Sequence, residues 1–233
     1  MPRVDYDRAQ TRRRIVSEAT SWLAHGLLYG FGYLPSRHQP ERSRDIRTLV
    51  LIHGLGSNRS AFFPLQAYLW RVGGHDRQYS YNYRAGSGSV EALALDLKRR
   101  LKREVQGGRI DIVAHSMGGL IARTWLQALG GHRRVDRLVT LATPHAGTHS
   151  SIYLPTRISS QLRPESPLLR FLDTLPPPAG VRCTSIAAGR DLVVVPGPSA
   201  VAPFGETEHF DDLGHLDLLL SPRVFRSIRS ALA

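Results

Sequence analysis

The amino-acid sequence predicts an α/β fold, a mostly parallel, doubly wound sheet with helices on both faces. Two observations carry that expectation. Short, nearly continuous apolar runs alternate with longer stretches whose apolar residues recur every three or four positions, so strands buried on both faces alternate with amphipathic helices. With 233 residues, 42% hydrophobic and 21% charged, the chain can bury one core, and neither a repeat nor a low-complexity tract interrupts it.

Taken in order, Arg12, Arg13 and Arg14 lead into Ile15, Ala19, Trp22, Leu23, Gly26, Leu27, Gly30, Phe31 and Leu34. Steps of three and four make this an amphipathic helix. Glu18 and His25 break its apolar surface, which falls short of a spanning helix, and no small-residue cleavage signature follows. The stripe suits packing over its own domain or lying on a membrane interface. The expectation is therefore a cytoplasmic protein, with peripheral contact at an anionic membrane as the alternative. A polar linker, 35–44, closes an N-terminal segment of residues 1–45; residues 46–233 form the main domain.

Residues 46–52 read as a central strand ending in His53-Gly54-Leu55-Gly56. Helical spacing runs over 60–72, a weaker strand over 79–83 and an amphipathic helix over 90–105. Residues 110–114 are a buried strand, followed by a helix that stops at Gly130-Gly131. Residues 135–142 are a further strand. From 143 to 178 the chain carries seven of its 15 prolines and one helix, near 166–175. That stretch is expected to be a cap inserted at about 149–178 over the sheet's carboxyl edge. Residues 181–188 resume the sheet, and a helix over 216–232 closes the fold. Cys183, the single cysteine, reads as a small buried residue in that strand and leaves the redox compartment open.

The net charge is +12, almost all of it arginine, since lysine stands only at Lys98 and Lys102. Such a field suits anionic membranes or acidic ligands, or it is an arginine bias spread over solvated helix faces. No nucleic-acid-binding motif accompanies it, so nucleic acid is not an expected partner.

The stretch Asp-Ile-Val-Ala-His-Ser-Met-Gly-Gly-Leu, residues 111–120, places Ser116 on a tight strand-to-helix turn, with Ala114 and Gly118 small enough to let the backbone double back. An exposed serine needs a histidine base and a carboxylate to orient it. Asp191 follows the strand over 181–188, where open α/β sheets place their sites. His215 stands on a glycine-preceded loop before the last helix. Among competitors, His115 should point away from Ser116, and His209 lacks the loop setting. Asp211 and Asp212 are expected to cap or solvate, because no sheet strand is foreseen before them. The backbone N–H groups of Leu55 and Met117 are the candidate oxyanion donors.

At these residues the chain resembles the bacterial lipases and esterases of the α/β-hydrolase superfamily. The matches are Leu-Ile-His-Gly-Leu-Gly at 51–56, Ala-His-Ser-Met-Gly-Gly at 114–119, Leu-Ala-Thr-Pro-His-Ala-Gly-Thr at 141–148, Asp191 and Leu-Gly-His215, over about residues 46–232. Ala114 replaces the first glycine of the G-x-S-x-G pattern, as it does in small Bacillus-type lipases. The resemblance implies the α/β-hydrolase fold and a serine carboxylester hydrolase that acts through an acyl-enzyme on a small-molecule or lipid ester, with no metal and no cofactor. Thioesterase, amidase or acyltransferase chemistry on the same scaffold is the alternative, and a cationic membrane-binding protein without catalysis is a rival of another class. By the same analogy His145 is structural or lines the pocket. The N-terminal helix and the 149–178 insertion, absent from the small lidless lipases, would shape the acyl or alcohol pocket. Leu168, Leu169, Phe171 and Leu172 are then candidate substrate-binding residues; their spacing equally fits the helix's own core face.

Overall fold

The computed structural model describes residues 20–21, 23, 26–34, 47–73, 75, 77–84, 88–105 and 107–233. The beginning of the N-terminal helix and the 35–44 linker lie outside the described residues. Six strands, β1 (Thr48–Ile52), β2 (Arg77–Tyr81), β3 (Ile110–His115), β4 (Val135–Leu141), β5 (Arg182–Ala188) and β6 (Glu206–Phe210), form one sheet in the order β2-β1-β3-β4-β5-β6. Every pairing is parallel.

Alternation along β1 shows why its apolar run is unbroken. Val50 and Ile52 face a core shared with α2 (Val90–Glu104) and α3 (Met117–Ala128), while Leu49 and Leu51 face a second core shared with α1 (Phe63–Val72) and α6 (Pro222–Ala231). A strand covered on both faces has no side that polar residues could occupy. The chain passes from β1 outward to β2, then returns to lay β3 on the other side of β1. That reversal opens a crevice at the carboxyl ends of β1 and β3. At the opposite end, the buried Asp111 carboxylate gathers His75 at 2.9 Å, Arg47 at 3.4 Å and Arg137 at 3.5 Å, tying strand starts together.

Three elements differ from expectation. β6 is an additional edge strand. The closing helix begins only at Pro222, whose fixed φ suits the first helical turn, and residues 217–219 form a separate 3-10 turn. The insertion is not one cap. A 3-10 turn (His149–Tyr153) and the short α4 (Arg157–Ser160) border the crevice, whereas α5 (Pro167–Thr174) packs against α3 at the side of the sheet.

The N-terminal segment docks through part of its described residues. Among these, Leu23, Leu27, Phe31 and Leu34 of the apolar stripe are exposed, while Ser21 and Gly32 are buried; Ile15, Ala19 and Trp22 lie outside the described residues. Gly32 fits so closely that a Cβ there would lie 1.9 Å from Asn58 Oδ1, and Asn58 Nδ2 donates to the Tyr29 carbonyl at 2.8 Å. Among the described residues, no helix is long and apolar enough to cross a membrane.

Candidate active site

Ser116 links β3 to α3 with φ 54° and ψ −129°, a conformation rarely adopted by residues with a side chain and one that stores strain. Its N–H donates to the Leu141 carbonyl at 2.8 Å and its carbonyl accepts from Gly119 N–H at 2.9 Å, so neighbouring elements fix the turn. The flanking glycines are there for contact distance. A Cβ on Gly118 would meet the Ile52 carbonyl oxygen at 2.3 Å, and one on Gly119 would meet Thr143 Oγ1 at 2.0 Å.

His215 Nδ1 lies 2.8 Å from Asp191 Oδ2, with both side chains buried. The carboxylate accepts there, so Nδ1 carries the hydrogen and the neutral ring keeps its lone pair at Nε2. Asp191 is itself fixed, since Oδ1 accepts from the N–H groups of Val193 at 2.7 Å and Val194 at 2.8 Å. Thr148 Oγ1 donates to the Val193 carbonyl at 2.7 Å and accepts from Val195 N–H at 3.0 Å, anchoring that loop to the 143–148 stretch. His115 Nε2 sits 3.2 Å from the His215 carbonyl oxygen, the two rings 4.6 Å apart, and so supports the loop that carries His215.

Leu55 follows a glycine pressed against the serine: a Cβ on Gly54 would lie 2.9 Å from Ser116 Cβ. His53 holds this loop. Tyr83 N–H donates to its Nε2 at 3.3 Å, which leaves Nδ1 as the donor to the Gly54 carbonyl at 2.9 Å. In a trans peptide the N–H opposes the C=O, so fastening the Gly54 carbonyl toward His53 turns the Leu55 N–H the other way. Met117 opens α3, and its N–H belongs to the electropositive first turn.

A cavity of about 290 Å³ is lined by Ser116, His215 and Leu55, with apolar walls from Leu154, Leu162, Val194 and Leu216. Leu168, Leu169, Phe171 and Leu172 do not line it. Leu168, Leu169 and Leu172 are buried in the core beside α3, and Phe171 is exposed on the opposite side of α5. The amphipathic spacing is therefore that of a packed helix, and most of the pocket walls come from residues within 148–162 and 192–194. His145 lines a separate cavity with Arg123 and Phe204. Its Nε2 meets Thr140 Oγ1 at 3.1 Å, and burial, assisted by Arg123, pushes its pKa down to about 3. Cys183 is buried in β5, where burial raises its thiol to about 12.

Asp211 directly follows β6, contrary to the expectation that no strand precedes it; it is exposed and makes no hydrogen bond to His215, while Asp212 pairs with Arg223. His209 lies on the exposed edge strand. Sequence reasoning missed Asp217. This buried carboxylate accepts from Gly214 N–H at 2.8 Å and from Ser21 Oγ at 2.5 Å, joining the N-terminal segment to the loop of His215. Its two-residue spacing from His215 is the only local signal, and Ser21 is 196 positions away in the chain.

Residues 29–188 match a domain family described as a domain of unknown function, DUF7379. Among solved structures, the mature lipase BlEst2 of Bacillus licheniformis superposes with a TM-score of 0.63 at 16% identity, over 87% of this chain and 98% of that one. Lipase B of Aspergillus fumigatus gives 0.67 at 15% identity, over 86% and 55%. A carboxylesterase structure from Nitrososphaera gargenis gives 0.57 at 17%, over 81% and 90%. The shared feature at these identities is the fold, and the chain has the α/β-hydrolase fold of lipases and esterases.

Proposed function

The chain belongs to the DUF7379 domain family, and we propose that it is a serine carboxylester hydrolase. The observation that carries this reading is the joint placement of Ser116, on a strained turn that lines an apolar cavity, and His215, on the same cavity with Nδ1 engaged by Asp191. Structural neighbours that are lipases and carboxylesterases support it.

Ser116 Oγ attacks the ester carbonyl as His215 Nε2 takes its proton, and the carbonyl π electrons move onto oxygen. Asp191 stabilises the imidazolium and holds its tautomer. The N–H groups of Leu55 and Met117 receive the oxyanion, each such donor contributing about 3 kcal/mol of transition-state stabilisation. Collapse breaks the carbon–oxygen bond to the alcohol, which leaves with the proton from His215. Water, deprotonated by the same nitrogen, then cleaves the acyl-enzyme and restores Ser116. The apolar cavity suits an aliphatic acyl chain.

The test is intact-mass analysis after incubation with a p-nitrophenyl alkylphosphonate, with the adduct mapped by digestion. One adduct on Ser116, absent from Ser116→Ala, is the expected result; a folded parent that stays unlabelled overturns the reading. Parallel turnover of p-nitrophenyl butyrate, a butyryl thioester and a butyryl anilide should be fastest on the oxygen ester.

A further inference from the structure

A second cavity, of about 350 Å³, adjoins the one that holds Ser116, and the two share Leu55, Gly56, Ser57 and Leu154 as a partition. Their chemistry differs. The first is walled by aliphatic side chains, whereas the second is lined by Tyr29, Tyr33, Tyr83 and Arg84. With the reacting carbonyl at Leu55, the partition lets the two arms of an ester enter different cavities.

The far wall is a built one. Tyr29 and Tyr33 come from the N-terminal segment, which is fastened by Asn58 to the Tyr29 carbonyl, by Asn82 Nδ2 to the Gly32 carbonyl at 3.1 Å and by Arg59 to the Leu34 carbonyl. The two phenols meet at 3.0 Å with their rings edge to face. The Arg84 guanidinium stands 5.8 Å from the Tyr33 ring centroid. Arg109 and Arg123 are taken up by Asp136 and Asp173, but Arg84 forms no ion pair among the described residues. One hydroxyl of the Tyr29–Tyr33 pair donates to the other, and the Tyr83 hydroxyl donates to the His53 carbonyl at 2.7 Å; a guanidinium beside the remaining phenolic O–H of the pair suits an oxyanion such as a carboxylate or phosphate, and it repels a cation. The net charge of +12 adds a long-range field of the same sign.

We propose that the Tyr29–Tyr33–Arg84 cavity is the subsite for the alcohol arm of the substrate, and that the esters preferred are those whose alcohol arm carries an anionic group. The inference rests on the catalytic reading of Ser116.

The experiment compares kcat/KM for four butyrates: phenyl butyrate, 4-butyryloxybenzoate, 4-butyryloxyphenyl phosphate and the 4-(trimethylammonio)phenyl ester. The parent is set against Arg84→Gln and Arg84→Glu. Each anionic rate is divided by the neutral rate of the same enzyme, so that changes in intrinsic leaving-group reactivity cancel between enzymes. The anionic-to-neutral ratio should fall about fivefold in Arg84→Gln, the scale of one partly solvated charge contact. It should fall further in Arg84→Glu, which should also raise the ratio for the cationic ester. Whichever of carboxylate and phosphate loses more identifies the anion. If both variants keep the parent's ratios, the subsite assignment is wrong, while turnover of phenyl butyrate and phosphonate labelling of Ser116 leave the esterase reading standing. A parent that neither turns over phenyl butyrate nor labels overturns both.

Discussion

Adding one methyl group at Gly118 should disable the site without touching any side chain that performs chemistry. Its Cβ would stand 2.3 Å from the Ile52 carbonyl oxygen and 2.6 Å from that of His53, both backbone atoms that no rotamer change can withdraw. Ordinary contact begins at 3.4 Å, so α3 and the end of β1 must part by about 1 Å, the scale of misplacement that costs catalysis roughly 100-fold. These are the two elements that carry Met117 and the His53–Leu55 loop, so the separation falls on the proposed pair of oxyanion donors. Overpacking of a dense interior costs about 1–3 kcal/mol, equivalent to a drop in Tm of roughly 2–12 °C for a domain of this size. The assay is kcat on p-nitrophenyl butyrate well below the lowered Tm, alongside thermal unfolding followed by circular dichroism. Gly197→Ala is the control, since a Cβ there meets nothing within 4 Å. If folded Gly118→Ala keeps the parent's kcat within about threefold, the link from close backbone approach to aligned donors is refuted.

Asp191→Asn should lower kcat on the order of 10⁴-fold, because the amide cannot hold the imidazole in the working tautomer or balance its charge; Asp211→Asn, with no bond to His215, should keep the parent's rate, and the reverse pattern in steady-state kinetics would move the acid to Asp211. Asp217→Ala strands the Gly214 N–H and Ser21 Oγ, so urea unfolding should show a loss of about 1–3 kcal/mol, with kcat lowered and KM unchanged. Asp217→Asn, which retains an acceptor oxygen, should recover most of both. Burial holds His145 neutral down to about 3, whereas an unfolded imidazole takes its proton near 6.5. The unfolded state therefore binds more protons between those values, and stability falls as the pH drops through that window. His145 should contribute about 2 kcal/mol to the stability lost between pH 7 and pH 5, and that part of the loss should be missing from urea titrations of His145→Gln.

What could be read from the sequence followed the range of the physical requirement. β1, β3 and β4 are covered on both faces, so burial writes an apolar run into a few adjacent residues. The turn at Ser116 is equally local, because the strain it imposes and the approach of β1 select small residues within two positions of the serine. β6 left no such trace. Its residues Glu206–Phe210 are almost wholly exposed at the sheet edge, where polar and charged side chains suit solvent and discourage pairing with a second sheet. The pocket walls were illegible for another reason. Leu154, Leu162 and Val194 reach the cavity from irregular backbone, which has no period to reveal a shared face, whereas the periodic Leu168, Leu169 and Leu172 are spent on the core.

Asp191 contacts His215 and Asp211 does not, although a strand that was not foreseen precedes Asp211. Asp211 directly follows β6 and Asp191 stands three residues past the end of β5, its parallel neighbour, so position at a carboxyl edge does not by itself separate them. The separation comes from the loops. Asp191 begins a turn whose N–H groups at Val193 and Val194 hold one carboxylate oxygen, which aims the other at His215. Asp211 lies where the chain turns back beneath Gly189, a residue without a Cβ because one would lie 2.5 Å from Asp211 Cα. That contact, with Gly189 N–H donating to the Phe210 carbonyl and Arg190 N–H to the Leu213 carbonyl, lashes the loop of Asp191 to the loop of His215. The edge strand thus helps to set the distance between Asp191 and His215. A glycine-to-alanine change at 189 should therefore weaken the pairing of acid and base, and the proton NMR resonance of the His215 Nδ1–H should lose its downfield, hydrogen-bonded position; an unchanged resonance would mean that the two loops keep their register without this contact.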